Sequence, residues 1–243
     1  MARFRYFTDT TAPRYSLLFA LPLLLSYEVL AWVLGGGGHN GIRNGADVLL
    51  KSLFVLLGGR HGLTIFTLVM VGVGGWLVLR DVQRNGTPML RTFGLLLAES
   101  SGYALLLGGV ASALTSLLLQ GRLLAVQDGV MAQFDLPTQL MVSMGAGIYE
   151  ELLFRVLLVS GLALLASKGF GWPKVRAGIF ASLLGALVFS AFHYIGPYGD
   201  PWQVGSFTFR AIAGLLFSGL YLVRGFGVAA WSHALYDIFL TLT

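Results

Sequence analysis

Apolar residues occur in long runs that recur from one end of this chain to the other, with short polar connections between them. A helix needs about 20 apolar residues to cross the hydrocarbon core of a bilayer. The runs predict seven spans, at residues 15–34, 62–79, 93–119, 137–166, 177–195, 207–223 and 226–243. We therefore expect an all-α, polytopic membrane helical bundle.

One further apolar run, at residues 46–57, is too short to cross a bilayer. It contains Lys51 and follows the glycine-rich stretch GGGGHNG. These features predict an interfacial or re-entrant helix. An eighth full span at this place is the alternative.

The composition agrees with a membrane protein, since 56% of the 243 residues are apolar and 11% are charged. The net charge is +5, but the basic residues lie at the ends of apolar runs, so nucleic acid is not an expected partner. The chain has no cysteine, which excludes thiol nucleophiles and thiolate metal ligands. There is no internal repeat and no linker, so we expect a single integral membrane domain over residues 1–243.

Lys and Arg residues of the predicted connections concentrate on the side of the N-terminus, and Arg14, Arg84 and Arg224 are among them. Because cytoplasmic loops carry an excess of Lys and Arg, this pattern predicts a cytoplasmic N-terminus. The basic N-terminus and the small size favour a prokaryotic plasma (inner) membrane as the location.

The stretch GIYEELLFRVLL places three charges inside the fourth predicted span. An unpaired charge in the middle of a bilayer costs at least about 2.5 kcal/mol. Glu151 is followed four residues later by Arg155, and the two can neutralise each other on one helix face. Glu150 points about 100° away from Glu151 and has no local partner. A partner for Glu150 must therefore come from another helix.

Two of the four histidines, His39 and His61, fall in predicted connections, where a solvated side chain is the ordinary interpretation. His193 ends a row of residues spaced by four. The earlier members of this row are Ala177, Ala181, Gly185 and Phe189. Small residues let membrane helices approach closely, so this row should direct His193 at a neighbouring helix.

His233 is followed four residues later by Asp237, so both side chains project from one helix face. This pair fits a hydrogen-bonded couple, an oriented base or two metal ligands. Together with Glu150 and His193, it forms a set of groups that can activate water. The carboxylate takes a proton from the water, and the other groups stabilise an oxyanion or hold a cation.

The order and spacing of these residues resemble the CPBP family of intramembrane proteases, which includes CAAX prenyl endopeptidases and the Abi-type and bacteriocin-processing relatives of bacteria. The resemblance covers the motif-bearing half of the chain, about residues 130–243. It rests on three motifs, EExxxR (Glu150, Glu151, Arg155), FxxxH (Phe189, His193) and HxxxD (His233, Asp237).

This resemblance implies that Glu150 and His193 activate the attacking water and that the HxxxD pair supports the oxyanion. It also implies that Glu151 and Arg155 are supporting residues. The expected activity is then a glutamate-dependent intramembrane endopeptidase. Its expected partners are the lipid bilayer and a membrane-associated or lipidated protein or peptide substrate, cleaved in its terminal region.

Members of this family carry Asn or Asp at the position of Asp237. An ionised Asp would repel an oxyanion, so Asp237 must be protonated, orient His233 or bind a cation. The family is often labelled metalloprotease, and a metal-free mechanism has also been proposed. Binding of a divalent metal such as zinc is therefore an open alternative. The candidate ligands are Glu150, His193, His233 and Asp237. The zinc motif HExxH is absent.

Two other classes of function stay open. The first is a non-proteolytic membrane scaffold or an immunity-type binding protein. The second is a transporter, because buried acids and histidines also form proton relays, although an internal repeat is missing. Glu28 and Glu99, which lie in spans outside the motifs, are interpreted as interhelical hydrogen-bonding groups, with a place on a substrate or water path as the alternative.

Overall fold

The computed structural model describes residues 5–36, 41–120 and 129–242. Over these ranges it is all-α, without a strand, which confirms the predicted fold class. His39 lies outside the described residues, whereas His61 is exposed in a 3₁₀ turn, Gly59–His61. The helices are α1 Tyr6–Asp9, α2 Pro13–Leu34, α3 Gly45–Gly58, α4 Gly62–Asn85, α5 Leu90–Leu118, α6 Leu136–Gly169, α7 Lys174–Phe192 and α8 Val204–Leu242.

The last helix, α8, is broken at Gly225, whose φ of 79° and ψ of 179° suit glycine and few other residues. The break divides α8 into a first arm, 204–224, and a second arm, 226–242. The two arms match the last two predicted spans. Within the described ranges, six helices are long and apolar enough to cross a membrane, and counting the arms of α8 separately agrees with the prediction of about seven spans.

The short helix α3 has 14 residues and therefore rises only about 21 Å, less than the thickness of a hydrocarbon core. It folds back on α4 through a tight turn. An added Cβ at Gly62 would overlap the backbone of Phe54, and the Phe54 ring packs edge-on against Phe66 at 5.2 Å. An interfacial or re-entrant position for α3 stays a prediction.

Two glycines on α6 allow close approach by neighbouring elements. A Cβ at Gly147 would overlap the carbonyl oxygen of Ala230 on the second arm of α8, and a Cβ at Gly145 would lie 2.8 Å from the Cβ of Asn44. The following residues, Ala146–Val159, have π-helical hydrogen bonds, an arrangement often found at functional sites. This segment of α6 carries the EExxxR motif.

The row of small residues on α7 packs inward, as predicted. Ala177 is 1% exposed and Ala181 is fully buried. A Cβ at Gly185 would lie 2.6 Å from a methyl group of Val159 on α6. The contact between α6 and α7 therefore directs the end of α7, where His193 lies, towards the EExxxR motif.

Candidate active site

Glu150 is buried on the π-helical part of α6, with 7% of its surface exposed. The side-chain amide of Asn44 donates a hydrogen bond of 2.8 Å to its Oε1. Its Oε2 has no hydrogen-bond partner among the described residues. The expected partner from another element is therefore Asn44, the residue that caps the N-terminus of α3. No motif or helix spacing in the sequence points to Asn44.

His193 caps the C-terminal end of α7. Its Nδ1 lies 2.9 Å from the carbonyl oxygen of Phe189, and because a carbonyl only accepts, Nδ1 must carry the hydrogen. In the neutral ring, the lone pair is then on Nε2 and faces Glu150, with 3.9 Å between Nε2 and Oε2. This distance is too long for a direct hydrogen bond, but it allows one water molecule to contact both atoms.

The loop after α7 holds His193 in place through Asp200. The Asp200 amide donates to the carbonyl oxygen of His193 at 2.9 Å. The Asp200 carboxylate accepts from the amide of Val130 at 2.8 Å and pairs with Arg210 on the first arm of α8. Three segments of the chain thus fix the position of the His193 backbone.

His233 lies on the second arm of α8 and is 4% exposed. Its Nδ1 is 2.8 Å from Oε1 of Glu151, and its Nε2 is 3.7 Å from Oδ2 of Asp237. The ring stacks on Phe217 at 4.5 Å. A carboxylate therefore flanks each nitrogen, but only the Glu151 contact is a hydrogen bond.

The predicted pair of Glu151 and Arg155 is confirmed, with 3.2 Å between Arg155 Nη1 and Glu151 Oε1. Both side chains are buried, with at most 1% exposed. The three guanidinium nitrogens of Arg155 have no hydrogen bond of good geometry within the described chain. Instead, the guanidinium lies over the ring of Phe189, at 4.4 Å, as in a cation–π contact. Glu151 also binds His233, a contact that the helix spacing does not predict.

The structure brings the four residues proposed as catalytic together as two pairs. Glu150 with His193 forms one pair, and His233 with Asp237 forms the other. The ring of Phe189 lies near both histidine rings, at 4.8 Å from His193 and 6.0 Å from His233.

Access to this site differs between the members of each pair. The side chain of His193 is 25% exposed, whereas that of its partner Glu150 is 9% exposed. Similarly, Asp237 is 29% exposed and His233 is 6% exposed. The site therefore opens past His193 and Asp237, and Glu150 and His233 lie deeper.

The metal candidates do not form a three-ligand centre in this arrangement. Across residues 5–36, 41–120 and 129–242, no three His, Asp or Glu side chains are grouped so that they could hold a metal ion. A zinc site normally takes at least three protein ligands. The donor set therefore does not fit resident zinc, and the steps proposed below use the side chains alone.

The two acids outside the motifs, Glu28 and Glu99, are partly buried and belong to interhelical networks, as predicted. Glu28 on α2 accepts from Lys51 at 2.8 Å and from Arg43 at 3.1 Å, and it also binds Tyr149. These contacts link α2, α3 and α6.

Glu99 on α5 accepts from Arg224 at 2.6 and 2.8 Å and from Tyr6 at 2.7 Å. Burial and the hydrogen bond to Glu99 raise the pKa of Tyr6 above its usual value. Arg224 also donates to the carbonyl oxygen of Phe7 at 2.8 Å. Glu99 therefore ties α1 and α8 to α5.

The fold and the site define a polytopic integral membrane protein with paired carboxylates and imidazoles between its helices. Residues 132–239 match the family model described as Rce1-like, type II CAAX prenyl endopeptidase Rce1-like. This part of the chain is therefore similar to that family, and the resemblance seen in the three motifs is confirmed. At the level of the family, the match supports an intramembrane protease. No curated protein and no solved structure matches the chain at a significant level.

Proposed function

We propose that this protein is an intramembrane endopeptidase that hydrolyses a peptide bond in the terminal region of a membrane-associated or lipidated protein. The observation that carries the proposal is Oε2 of buried Glu150, which has no hydrogen-bond partner in the part of the chain that the structure describes and faces Nε2 of His193 at 3.9 Å. Two acceptors at this distance, on different helices, form a binding place for one water molecule.

In the first step, the water donates one hydrogen to each of the two acceptors. Glu150 then takes a proton as the water oxygen attacks the carbonyl carbon of the substrate. The carbonyl becomes a tetrahedral centre with a negatively charged oxygen. Burial of Glu150 away from solvent strengthens its interaction with the bound water, because the local dielectric is low.

His233 stabilises the negatively charged oxygen in this proposal. The carboxylates of Glu151 and Asp237 flank its two nitrogens and favour an imidazolium, which donates from Nε2 to the oxyanion. Asp237 then acts through His233 and does not contact the oxyanion itself. When the tetrahedral centre collapses, the C–N bond breaks and Glu150 returns its proton to the leaving amine.

The substrate class follows from the family description and from the position of the site. The matching family is described by its action on CAAX prenyl substrates, so a lipid-modified C-terminal peptide is the first candidate. Apolar helices surround the site, and such a setting suits a substrate that is anchored in the same bilayer. We further propose a single membrane domain in a prokaryotic plasma membrane, with the N-terminus in the cytoplasm.

The test uses purified full-length protein in liposomes, with a farnesylated peptide that ends in a CAAX sequence as the probe. Glu150→Gln and His193→Ala should each lower the rate of cleavage by about 10³-fold, because each removes one group of the proton-transfer pair. The unfolding temperature of each variant establishes that it is folded. A parallel sample treated with a chelator, with its metal content measured, tests for a required metal.

Wild-type rates in both folded variants would overturn the proposal. If the wild type cleaves an unprenylated membrane peptide but leaves the farnesylated probe intact, the prenyl part of the substrate assignment is wrong. A cellular phenotype that Glu150→Gln rescues as well as the wild type would favour the scaffold function instead.

A further inference from the structure

The proposed base, Glu150, is held by a residue from the first quarter of the chain. Asn44 Nδ2 lies 2.8 Å from Oε1 of Glu150, although 106 positions separate the two residues. Asn44 also lies outside residues 132–239, the part that matches the family model. Neither the family match nor the three motifs therefore assign a role to this residue.

The orientation of the Asn44 amide follows from its other contact. Its Oδ1 accepts a hydrogen bond of 2.9 Å from the backbone N–H of Ala46, as in an N-cap of α3. A backbone N–H only donates, so the atom facing it must be the oxygen. The atom facing Glu150 is then the amide nitrogen, and the contact is a donated hydrogen bond.

The surroundings of Asn44 leave its side chain little freedom. Asn44 is 3% exposed, and its backbone N–H donates to the hydroxyl of Tyr27 at 3.2 Å. The Tyr27 hydroxyl in turn donates to Asp47 at 2.8 Å. Gly145 of α6 adds a further constraint, since a Cβ there would lie 2.8 Å from the Cβ of Asn44. The α3 N-terminus and α6 are thus packed together at the position of Glu150.

We infer that Asn44 is a positioning residue for Glu150, which holds Oε1 and thereby directs the free Oε2 at His193. This inference rests on the proposed function, because it gives Asn44 a task only if Glu150 acts on water. It also means that the motif-bearing half of the chain does not contain the complete site. The segment before α3 supplies one hydrogen bond to the proposed base.

The competing explanation is that Asn44 only caps α3. Substitutions separate the two roles, because Ser and Asp cap helices about as well as Asn does. Asn44→Ser keeps a capping oxygen but has a shorter side chain without the amide nitrogen. Asn44→Asp keeps the cap and places a second carboxylate beside Glu150, which should repel it.

The experiment measures kcat and KM for the farnesylated CAAX peptide with the full-length protein in liposomes. Asn44→Ser should lower kcat by about tenfold or more, because the lost hydrogen bond is to a charged group, whereas KM should stay within about twofold. At neutral pH, Asn44→Asp should lower kcat more than Asn44→Ser does. Both variants should keep an unfolding temperature close to that of the wild type, and rates are expressed per folded protein.

Asp135→Ala is the matched control. Asp135 is an exposed N-cap of α6, accepting from the amide of Thr138 at 3.3 Å. Its replacement removes a helix cap without touching Glu150, so kcat should stay within about twofold of the wild type while the unfolding temperature falls slightly.

Two outcomes separate the inference from the function beneath it. If Glu150→Gln is inactive while Asn44→Ser and Asn44→Asp both keep a wild-type kcat, Asn44 is only a cap and the inference is wrong. If Glu150→Gln itself keeps wild-type cleavage, the proposed function fails, and the positioning role of Asn44 fails with it.

Discussion

Glu99 and Glu150 are both carboxylates on apolar helices, but they differ in how many hydrogen bonds their oxygens accept. Both oxygens of Glu99 accept hydrogen bonds from Arg224, at 2.6 and 2.8 Å, and Oε2 also accepts from Tyr6. Glu150 has a single donor, Asn44, on one oxygen, and its other oxygen has no hydrogen-bond partner in the described parts of the chain.

The same difference extends to the neighbouring arginines. Every nitrogen of the Arg224 guanidinium donates a hydrogen bond, to Glu99, to the carbonyl oxygen of Phe7 or to the hydroxyl of Thr10. Arg155, by contrast, forms an ion pair with Glu151 and a cation–π contact with the ring of Phe189.

Buried polar groups in folded proteins are nearly always hydrogen-bonded, and the exceptions need an explanation. The Glu99 cluster, defined as Glu99, Arg224, Tyr6 and Thr10, follows the rule and is suited to hold the helices together. The site around Glu150 departs from the rule at Oε2 of Glu150 and at the guanidinium nitrogens of Arg155, which have no hydrogen-bond partner in the described parts of the chain. This comparison predicts that substitutions in the Glu99 cluster change the free energy of unfolding, whereas substitutions at Glu150 change the rate of cleavage.

The largest change in stability should come from Arg224→Met. It leaves the partly buried Glu99 carboxylate, whose side chain is 15% exposed, without its cation, so the free energy of unfolding should fall by about 3 kcal/mol. Chemical unfolding in detergent micelles measures this change. Arg84→Met, which changes an exposed arginine at the end of α4, is the control and should stay within about 0.5 kcal/mol of the wild type.

A double variant sharpens this prediction. Arg224→Met combined with Glu99→Gln should be more stable than Arg224→Met alone, because the unpaired, partly buried charge of Glu99 is removed. If the single Arg224→Met variant were as stable as the wild type, the assignment of the Glu99 cluster to stability would be wrong.

A smaller effect, on stability and activity together, is expected for Phe189→Leu. This change removes the ring over Arg155 at 4.4 Å and the edge contact with His193 at 4.8 Å. Loss of the cation–π contact should cost about 1–2 kcal/mol of unfolding free energy, and displacement of His193 should lower kcat. The two quantities are measured by chemical unfolding and by cleavage of the farnesylated peptide.

Phe180→Leu serves as its control on the same helix, because that ring is 39% exposed and contacts Trp172 away from the site. Equal behaviour of the two leucine variants would show that Phe189 has no special link to the site.

Much of the architecture could be predicted from the sequence because it depends on local patterns. The apolar runs predict the spans, and the row that ends at His193 predicts an inward-facing side of α7. The spacing of four between Glu151 and Arg155 predicts their contact, because residues at this spacing are neighbours on a helix. The connection predicted between residues 223 and 226 is the break at Gly225.

The contacts that could not be predicted join distant parts of the chain. Asn44 reaches Glu150 from 106 positions away, and Glu151 reaches His233 from 82 positions away, so helix periodicity carries no information about either contact. Arg224 falls in a predicted connection, where a solvated charge is expected, yet its side chain is 1% exposed. Its partner Glu99 is 125 positions away, and only the packing of α8 on α5 brings them together.

The most direct test of the comparison measures cleavage and thermal unfolding side by side for Glu150→Gln and Glu99→Gln. Both changes replace a carboxylate on an apolar helix by an amide of nearly the same shape. We predict that Glu150→Gln loses about 10³-fold in the rate of cleavage of the farnesylated peptide and keeps its unfolding temperature. Glu99→Gln should unfold at a lower temperature and keep its kcat per folded protein. The account is contradicted if Glu150→Gln cleaves at the wild-type rate while folded.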